Sequence, residues 1–176
     1  WSSAVCSSAL TWASFALAIA LLRQVMDTGA ISYLLGDWAA PWGIEYRIDQ
    51  LSAFIILIVT AIGSVMMVFA PKSVTAEIPG DRVYLFYTMY LLTFAGLLGM
   101  AATGDAFNLF VFLEISSLST YVLISLGKER RALTAAYRYL VLGTLGATFY
   151  IIGVGMMYQM TGTLNMADLA VRLPAV

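Results

Sequence analysis

The sequence predicts an all-α membrane protein, a polytopic bundle of about five transmembrane helices with a short surface hairpin between the first two. Of its 176 residues, 61% are hydrophobic and only 11% are charged, whereas a soluble domain carries about a quarter charged residues. The charges fall mostly between apolar stretches of about 20 residues, the length that a bilayer imposes on a helix. These stretches lack the short alternation of barrel strands, so the predicted spanning elements are helices.

Five spans can be drawn along the chain, each long enough to cross about 30 Å of hydrocarbon at about 1.5 Å per residue. They cover residues 4–26, 51–70, 83–102, 106–126 and 133–160, and the second is predicted to end at Pro71. Between the first two, residues 31–35 and 44–48 can pair as a hairpin on the membrane surface, with Trp38 and Trp42 at headgroup level. The short turn 103–105 makes the third and fourth helices antiparallel neighbours.

Basic residues predict how the bundle is oriented. One side of the bundle carries Lys72, Arg82, Lys128, Arg130 and Arg131, and the other carries Arg47 and Arg172, with Arg23 near a helix end. The positive-inside rule places the first set in the cytoplasm, so the hairpin and the tail face outward. The predicted location is the inner (plasma) membrane, crossed several times.

Composition also narrows the chemistry that the chain can carry. It has no histidine and one cysteine, Cys6, whereas haem, iron–sulfur and zinc sites draw on those residues. No cofactor of its own is expected, and in a redox complex the electrons would travel through other subunits. Cys6 is interpreted as a small buried apolar residue, with a reactive or lipidated thiol as the alternative. A net charge of −1 without a basic stripe argues against nucleic acid as a partner.

Glu114 is the main candidate for function, because it lies inside the apolar fourth span, where a charge costs about 2.5–3.5 kcal/mol on insertion scales. It is eight residues past Ala106, about 12 Å below the outer end of its helix. Ser117 and Tyr121 share its helix face and form a polar stripe with it. The functional hypothesis is a carboxylate that relays protons or binds a cation. The alternative is a protonated carboxyl that ties helices together by hydrogen bonds.

Other candidates have two interpretations each. Arg138, just inside the fifth span, is either a station on a charge path or a side chain that snorkels to the interface. Asp105 is either a proton-entry group or a helix N-cap, and Asp49 carries the same ambiguity. Four glycines in the fifth span are expected to permit close helix packing: Gly143, Gly146, Gly153 and Gly155.

Three segments, LLGDWAAPWGIEYRIDQLSAF, TGDAFNLFVFLEISSLSTYVLI and AAYRYLVLGTLGATFYIIGVGMMYQMTGTLNMADLA, resemble antiporter-like subunits of Mrp-type cation/proton antiporters, most closely the D subunit. The superfamily includes membrane-arm subunits of respiratory complex I and membrane-bound hydrogenases. The resemblance implies about fourteen helices, of which residues 1–176 correspond roughly to the second to sixth. It implies that Glu114 is the fifth-helix glutamate of the proton route and that Arg138 replaces a sixth-helix lysine. The glutamate's usual seventh-helix lysine partner is not in this sequence, which is interpreted as part of a longer product.

The favoured function is therefore a proton-translocating membrane subunit of a multi-subunit monovalent cation/proton antiporter, a transporter subunit with a midplane glutamate relay. One alternative is a membrane-arm subunit of a redox-driven proton pump of the NADH:quinone oxidoreductase or membrane-bound hydrogenase type, without its own redox centre. A non-transporting membrane scaffold is the third hypothesis. The expected partners are other membrane subunits, the lipid bilayer and protons, with sodium as a candidate cation.

Overall fold

The computed structural model describes residues 2–175 and confirms the all-α fold with five long helices. Each of these five helices, α1 to α5, is long and apolar enough to cross a membrane. The elements are α1 Ser2–Thr28, β1 Ile31–Leu34, β2 Glu45–Ile48, α2 Gln50–Glu77, α3 Val83–Ala102, α4 Ala106–Ser125, α5 Arg130–Thr161 and α6 Met166–Arg172. Each long helix packs on the next one in the chain.

The predicted hairpin between α1 and α2 is confirmed. Strands β1 and β2 pair antiparallel, with Ile31 opposite Ile48 and Leu34 opposite Glu45. β2 also forms a bridge between Tyr46 and Thr103, at the turn between α3 and α4. The hairpin is therefore attached to the end of the bundle where that turn lies, which we call the outer end.

The prediction that the second span ends at Pro71 is wrong, because α2 continues through the proline to Glu77. Proline removes one backbone donor and so one of the many hydrogen bonds of a long helix, a loss that spanning helices tolerate. Beyond the proline, the Thr75 hydroxyl donates to the Pro71 carbonyl over 2.9 Å. The last turn gains a second contact, because the Lys128 ammonium donates to the Ala76 carbonyl over 2.7 Å.

Lys128 is expected to stabilise the end of α2, since a cation there satisfies a free carbonyl and complements the helix dipole. We expect Lys128→Met to lower the free energy of unfolding of the full-length protein in detergent by about 0.3–1 kcal/mol. The matched control is Lys72→Met, an exposed lysine of α2. Thermal unfolding of both variants measures the difference, and equal midpoints would show that the Lys128 contact contributes nothing.

Small and hydroxylated residues bring the helices together. The Ser64 hydroxyl of α2 donates to the Thr11 carbonyl of α1 over 2.9 Å, in a buried contact. The Tyr90 hydroxyl of α3 donates to the Gly63 carbonyl of α2 over 2.8 Å. Where lipid tails are as apolar as the side chains, such close backbone approaches and interhelical hydrogen bonds are what favour association.

Helices α3 and α4 are antiparallel neighbours, as the short turn between them predicted. A Cβ on Gly96 would lie 2.8 Å from the Ser116 backbone nitrogen, and a Cβ on Gly99 would overlap the Phe112 ring. Phe112 therefore fills the space that Gly99 leaves. This contact fixes the side of α4 opposite to the one that carries Glu114.

Candidate functional site

Glu114 is partly buried on the face of α4 that is turned toward α5. One turn before it, Phe110 stacks on Tyr150 of α5, with ring centroids 6.4 Å apart. Two turns after it, Tyr121 meets Tyr139 of α5 edge to face, with centroids 5.1 Å apart. Because residues three to four apart share a helix face, Glu114 lies between two aromatic contacts that join α4 to α5.

The glycines of α5 behave differently from one another. A Cβ on Gly143 would overlap the hydroxyl oxygen of Tyr121, so close packing is confirmed there. Among the described residues, a Cβ on Gly146, Gly153 or Gly155 would meet no atom within 4 Å. For these three glycines the expectation that they permit close helix packing stays a prediction, because within residues 2–175 no helix covers their side of α5.

Glu114 forms no side-chain hydrogen bond and no ion pair within residues 2–175, where the ion pairs are Arg82–Asp81 and Arg172–Asp168. Ser117 is half-buried on the same face. A protonated carboxyl that ties helices together would need a hydrogen-bond partner, and the described part of the chain places none at this carboxyl. Within residues 2–175, Glu114 is therefore a partly buried carboxyl inside a spanning helix, without a hydrogen-bond or ion-pair partner.

Arg138 is not brought together with Glu114. Its side chain is exposed near the inner end of α5. It borders a shallow hollow that is also lined by Arg131, Thr134, Ala135, Tyr139 and Leu142. This position is compatible with the interpretation that the Arg138 side chain snorkels to the membrane interface.

Asp105 is the N-cap of α4, and it is 6% exposed. Its carboxylate accepts from the Asn108 backbone N–H over 2.7 Å. Asp49 caps α2 in the same way and accepts from the Ser52 backbone N–H over 2.8 Å. That bond holds the pKa of Asp49 below its ordinary value, helped weakly by the nearby Arg47. The capping interpretation of both residues is confirmed, and a proton-entry role for Asp105 stays a prediction.

The sequence did not reveal a buried carboxylate at the outer end, Glu45. The Ser32 hydroxyl donates to one of its oxygens over 2.6 Å, and the Asn165 amide donates to the other over 2.7 Å. We call these three residues the outer clasp. The hydrogen bond from Ser32, together with the one from Asn165 and the charge of Arg47, holds the pKa of Glu45 below its ordinary value against the effect of burial.

Backbone hydrogen bonds extend the outer clasp into one assembly. The Gly104 N–H donates to the Glu45 carbonyl over 2.8 Å, and the Met166 N–H donates to the Gly104 carbonyl over 2.8 Å. The Ala106 N–H donates to the Leu164 carbonyl over 2.9 Å. The hairpin, the α3–α4 turn and the α5–α6 loop therefore meet above the first turn of α4.

Comparison with known proteins agrees with this architecture. Residues 103–174 match the family model described as NADH:quinone oxidoreductase/Mrp antiporter, TM. The N subunit of the NADH-quinone oxidoreductase of Desulforudis audaxviator is 49% identical over 89% of this chain and 31% of its own length. The D subunit of the Na(+)/H(+) antiporter of Alkalihalophilus pseudofirmus is 36% identical over the same shares of the two chains.

A solved structure is similar over most of the chain. It is a chain of the membrane-bound sulfane sulfur reductase, an archaeal respiratory membrane complex, with a TM-score of 0.87 and 38% identity. The match covers 94% of this chain and 33% of the other, so the chain spans about a third of the length of the relatives that it matches. The chain is a multi-pass protein of the cell membrane and belongs to the family of membrane subunits shared by NADH:quinone oxidoreductases and Mrp antiporters.

Proposed function

We propose that this chain is part of a proton-translocating membrane subunit in which Glu114 relays protons. The observation that carries the proposal is the position of Glu114, about 12 Å below the first residue of α4 and between two contacts with α5. Ionisable groups inside spanning helices are costly, and they mark ion or proton pathways. A carboxyl that takes up and releases a proton at this depth is the chemistry that this residue supplies.

Two neighbours extend the relay along α4. Ser117 and Tyr121 lie on the same face, between Glu114 and the inner end. Their hydroxyl groups can both donate and accept a hydrogen bond, so they can orient a water molecule that carries the proton. The ionised form of Glu114 also needs a nearby cation. We expect this cation to be the lysine that the resemblance implies in the seventh helix of the family. We propose Asp105 as an outer entry group and Arg138 as an inner station.

The first candidate for the complete assembly is a multi-subunit monovalent cation/proton antiporter, with sodium as the candidate cation. It is supported by the 36% identity to the relative named as the D subunit of an Na(+)/H(+) antiporter. Its partners would be the other membrane subunits of the complex and the surrounding lipid. Proton movement would then be coupled to movement of the cation in the opposite direction.

The second candidate is a membrane subunit of a redox-driven proton pump. It is favoured by the 49% identity to the relative named as the N subunit of an NADH-quinone oxidoreductase. The 38% identity to one polypeptide of the archaeal respiratory membrane complex also favours it. The redox centres would lie in other subunits, and this chain would supply the proton path. The proposed role of Glu114 is the same in both assemblies.

Proton movement in vesicles separates the two candidates. The complex that contains the full-length subunit is reconstituted with a pH-sensitive dye in the lumen. For an antiporter, an imposed sodium gradient alone changes the lumenal pH. For a redox pump, the change follows the addition of an electron donor and a quinone. A sealed, intact complex that moves protons under neither condition would contradict the proposal and favour a scaffold.

Infrared difference spectroscopy tests the relay itself. We expect a carboxyl C=O band that changes during proton movement and is missing from the spectrum of the Glu114→Gln complex. The band arises because a relay alternates between its protonated and ionised forms. A Glu114 band that stays constant while protons move would show that the carboxyl is not on the path.

A further inference from the structure

The outer clasp joins segments that are far apart in the sequence. Glu45 lies 13 positions from Ser32 and 120 positions from Asn165, and both contacts are side chain to side chain. Glu45 is 9% exposed and Asn165 is 3% exposed. A buried carboxylate with two donors is a directional contact, because both of its oxygens are satisfied only in one arrangement of the three segments.

The orientation of the Asn165 amide is fixed by its other contacts. Its oxygen is the N-cap of α6 and accepts from the Ala167 and Asp168 backbone N–H groups over 3.0 and 3.1 Å. A flipped amide would lose both bonds, so the amide nitrogen is left to face Glu45. Asn165 therefore presents a hydrogen-bond donor to position 45, and the Glu45 carboxylate is a suitable acceptor for it.

The outer clasp holds the outer ends of α4, which carries Glu114, and of α5, which packs against that face of α4. Asp105, which caps α4, forms a backbone bridge with Asn165, and the Tyr150 hydroxyl of α5 donates to the Ala106 carbonyl over 3.0 Å. A displacement of the hairpin or of the α5–α6 loop would therefore reach the first turn of α4. Glu114 lies eight residues further along that rigid helix.

We infer that Glu45 is a positioning residue for proton transfer, which it supports by holding the outer ends of α4 and α5 in the arrangement that places Glu114. This inference rests on the proposed function. Glu45 acts through Asn165 and the first turn of α4 and does not itself carry the transferred proton. The other charged groups around the outer clasp are Arg47, Asp105, Asp168 and Arg172.

A donor–acceptor swap tests the inference in the complex with the full-length subunit. Asn165→Asp keeps an oxygen for the α6 cap but sets a second carboxylate against Glu45. We expect the rate of proton movement to fall about tenfold, because a charge-assisted hydrogen bond is replaced by repulsion. Adding Glu45→Gln restores complementarity, since the new amide donates to the new carboxylate and the net charge returns to that of the wild type. The double variant is expected to regain most of the rate.

The pH profile distinguishes positioning from a loss of folded protein. A displaced Glu114 meets a different environment, so Asn165→Asp is expected to shift the midpoint of the pH profile, and the double variant is expected to return it. A reduced amount of folded complex would lower the rate at every pH and leave the midpoint in place. Gln159→Glu, which adds a charge to an exposed side chain of α5 near the same end, is the control.

Each outcome decides the inference. An Asn165→Asp complex with a normal rate and midpoint overturns it, and so does a fall in rate without a shift of the midpoint. A double variant that fails to recover also overturns it, because complementarity would then not be the cause. The Glu114→Gln complex distinguishes a failure of the proposed function from a failure of the inference about Glu45. If this complex moves protons normally, the proposed function has failed. If it is inactive while Asn165→Asp is normal, the inference about Glu45 alone has failed.

Discussion

A complex with Glu114→Gln in the full-length subunit is expected to move protons on the order of a hundredfold more slowly than the wild type. Glutamine matches glutamate in size and keeps a carbonyl acceptor, but it does not take up or release a proton near neutral pH. The change therefore removes proton exchange and leaves the packing between the two aromatic contacts of α4 and α5 in place. The lumenal pH dye in reconstituted vesicles measures the rate.

Two further variants make this result specific to Glu114. Glu129→Gln makes the same chemical change at an exposed residue of the α4–α5 connection and is expected to leave the rate unchanged. Glu114→Asp keeps the carboxyl but withdraws it by about one C–C bond, so an intermediate rate is expected because proton transfer depends on distance. A normal rate for Glu114→Gln would show that the protons take another path.

The spans were predictable because the bilayer fixes their length. About 20 apolar residues are needed to cross the hydrocarbon, and charged residues collect at the ends. The hairpin was predictable because two short segments with β-branched and aromatic residues, 31–35 and 44–48, flank a segment that contains Gly36, Pro41 and Gly43. The extension of α2 beyond Pro71 was not, because the contact at its last turn comes from Lys128, which lies 52 positions from Ala76 in the sequence.

The face that carries Glu114 was also predictable, since helical spacing alone places Ser117 and Tyr121 beside it. The outer clasp was not. Glu45 looks like an ordinary strand residue in the sequence, and its partner Asn165 lies 120 positions further along in what reads as a loop. The only local signal was an Asn at the position of a helix N-cap, which predicts the cap of α6 and says nothing about Glu45.

The α5 glycines show why spacing alone does not reveal packing. All four were expected to permit close helix packing, and within the described residues one of them, Gly143, has another helix against it. A glycine pattern predicts that a helix can be approached closely, and whether a neighbour is present depends on how the other helices are arranged. Gly143 has such a neighbour because Tyr121 points into the space that its missing side chain leaves.

Gly143→Ala is therefore expected to lower the free energy of unfolding of the full-length protein by about 1–3 kcal/mol, the cost of overpacking a filled site. Its new methyl group would occupy the place of the Tyr121 hydroxyl, so either the ring or the whole of α5 must shift. Gly146→Ala is the matched control, because the same change on the same helix meets no atom of residues 2–175 within 4 Å. It is expected to be neutral or stabilising, since alanine favours the helix by about 1 kcal/mol over glycine. Thermal unfolding in detergent compares the two variants. Equal midpoints would mean that Tyr121 yields without cost and that the contact between α4 and α5 does not depend on Gly143.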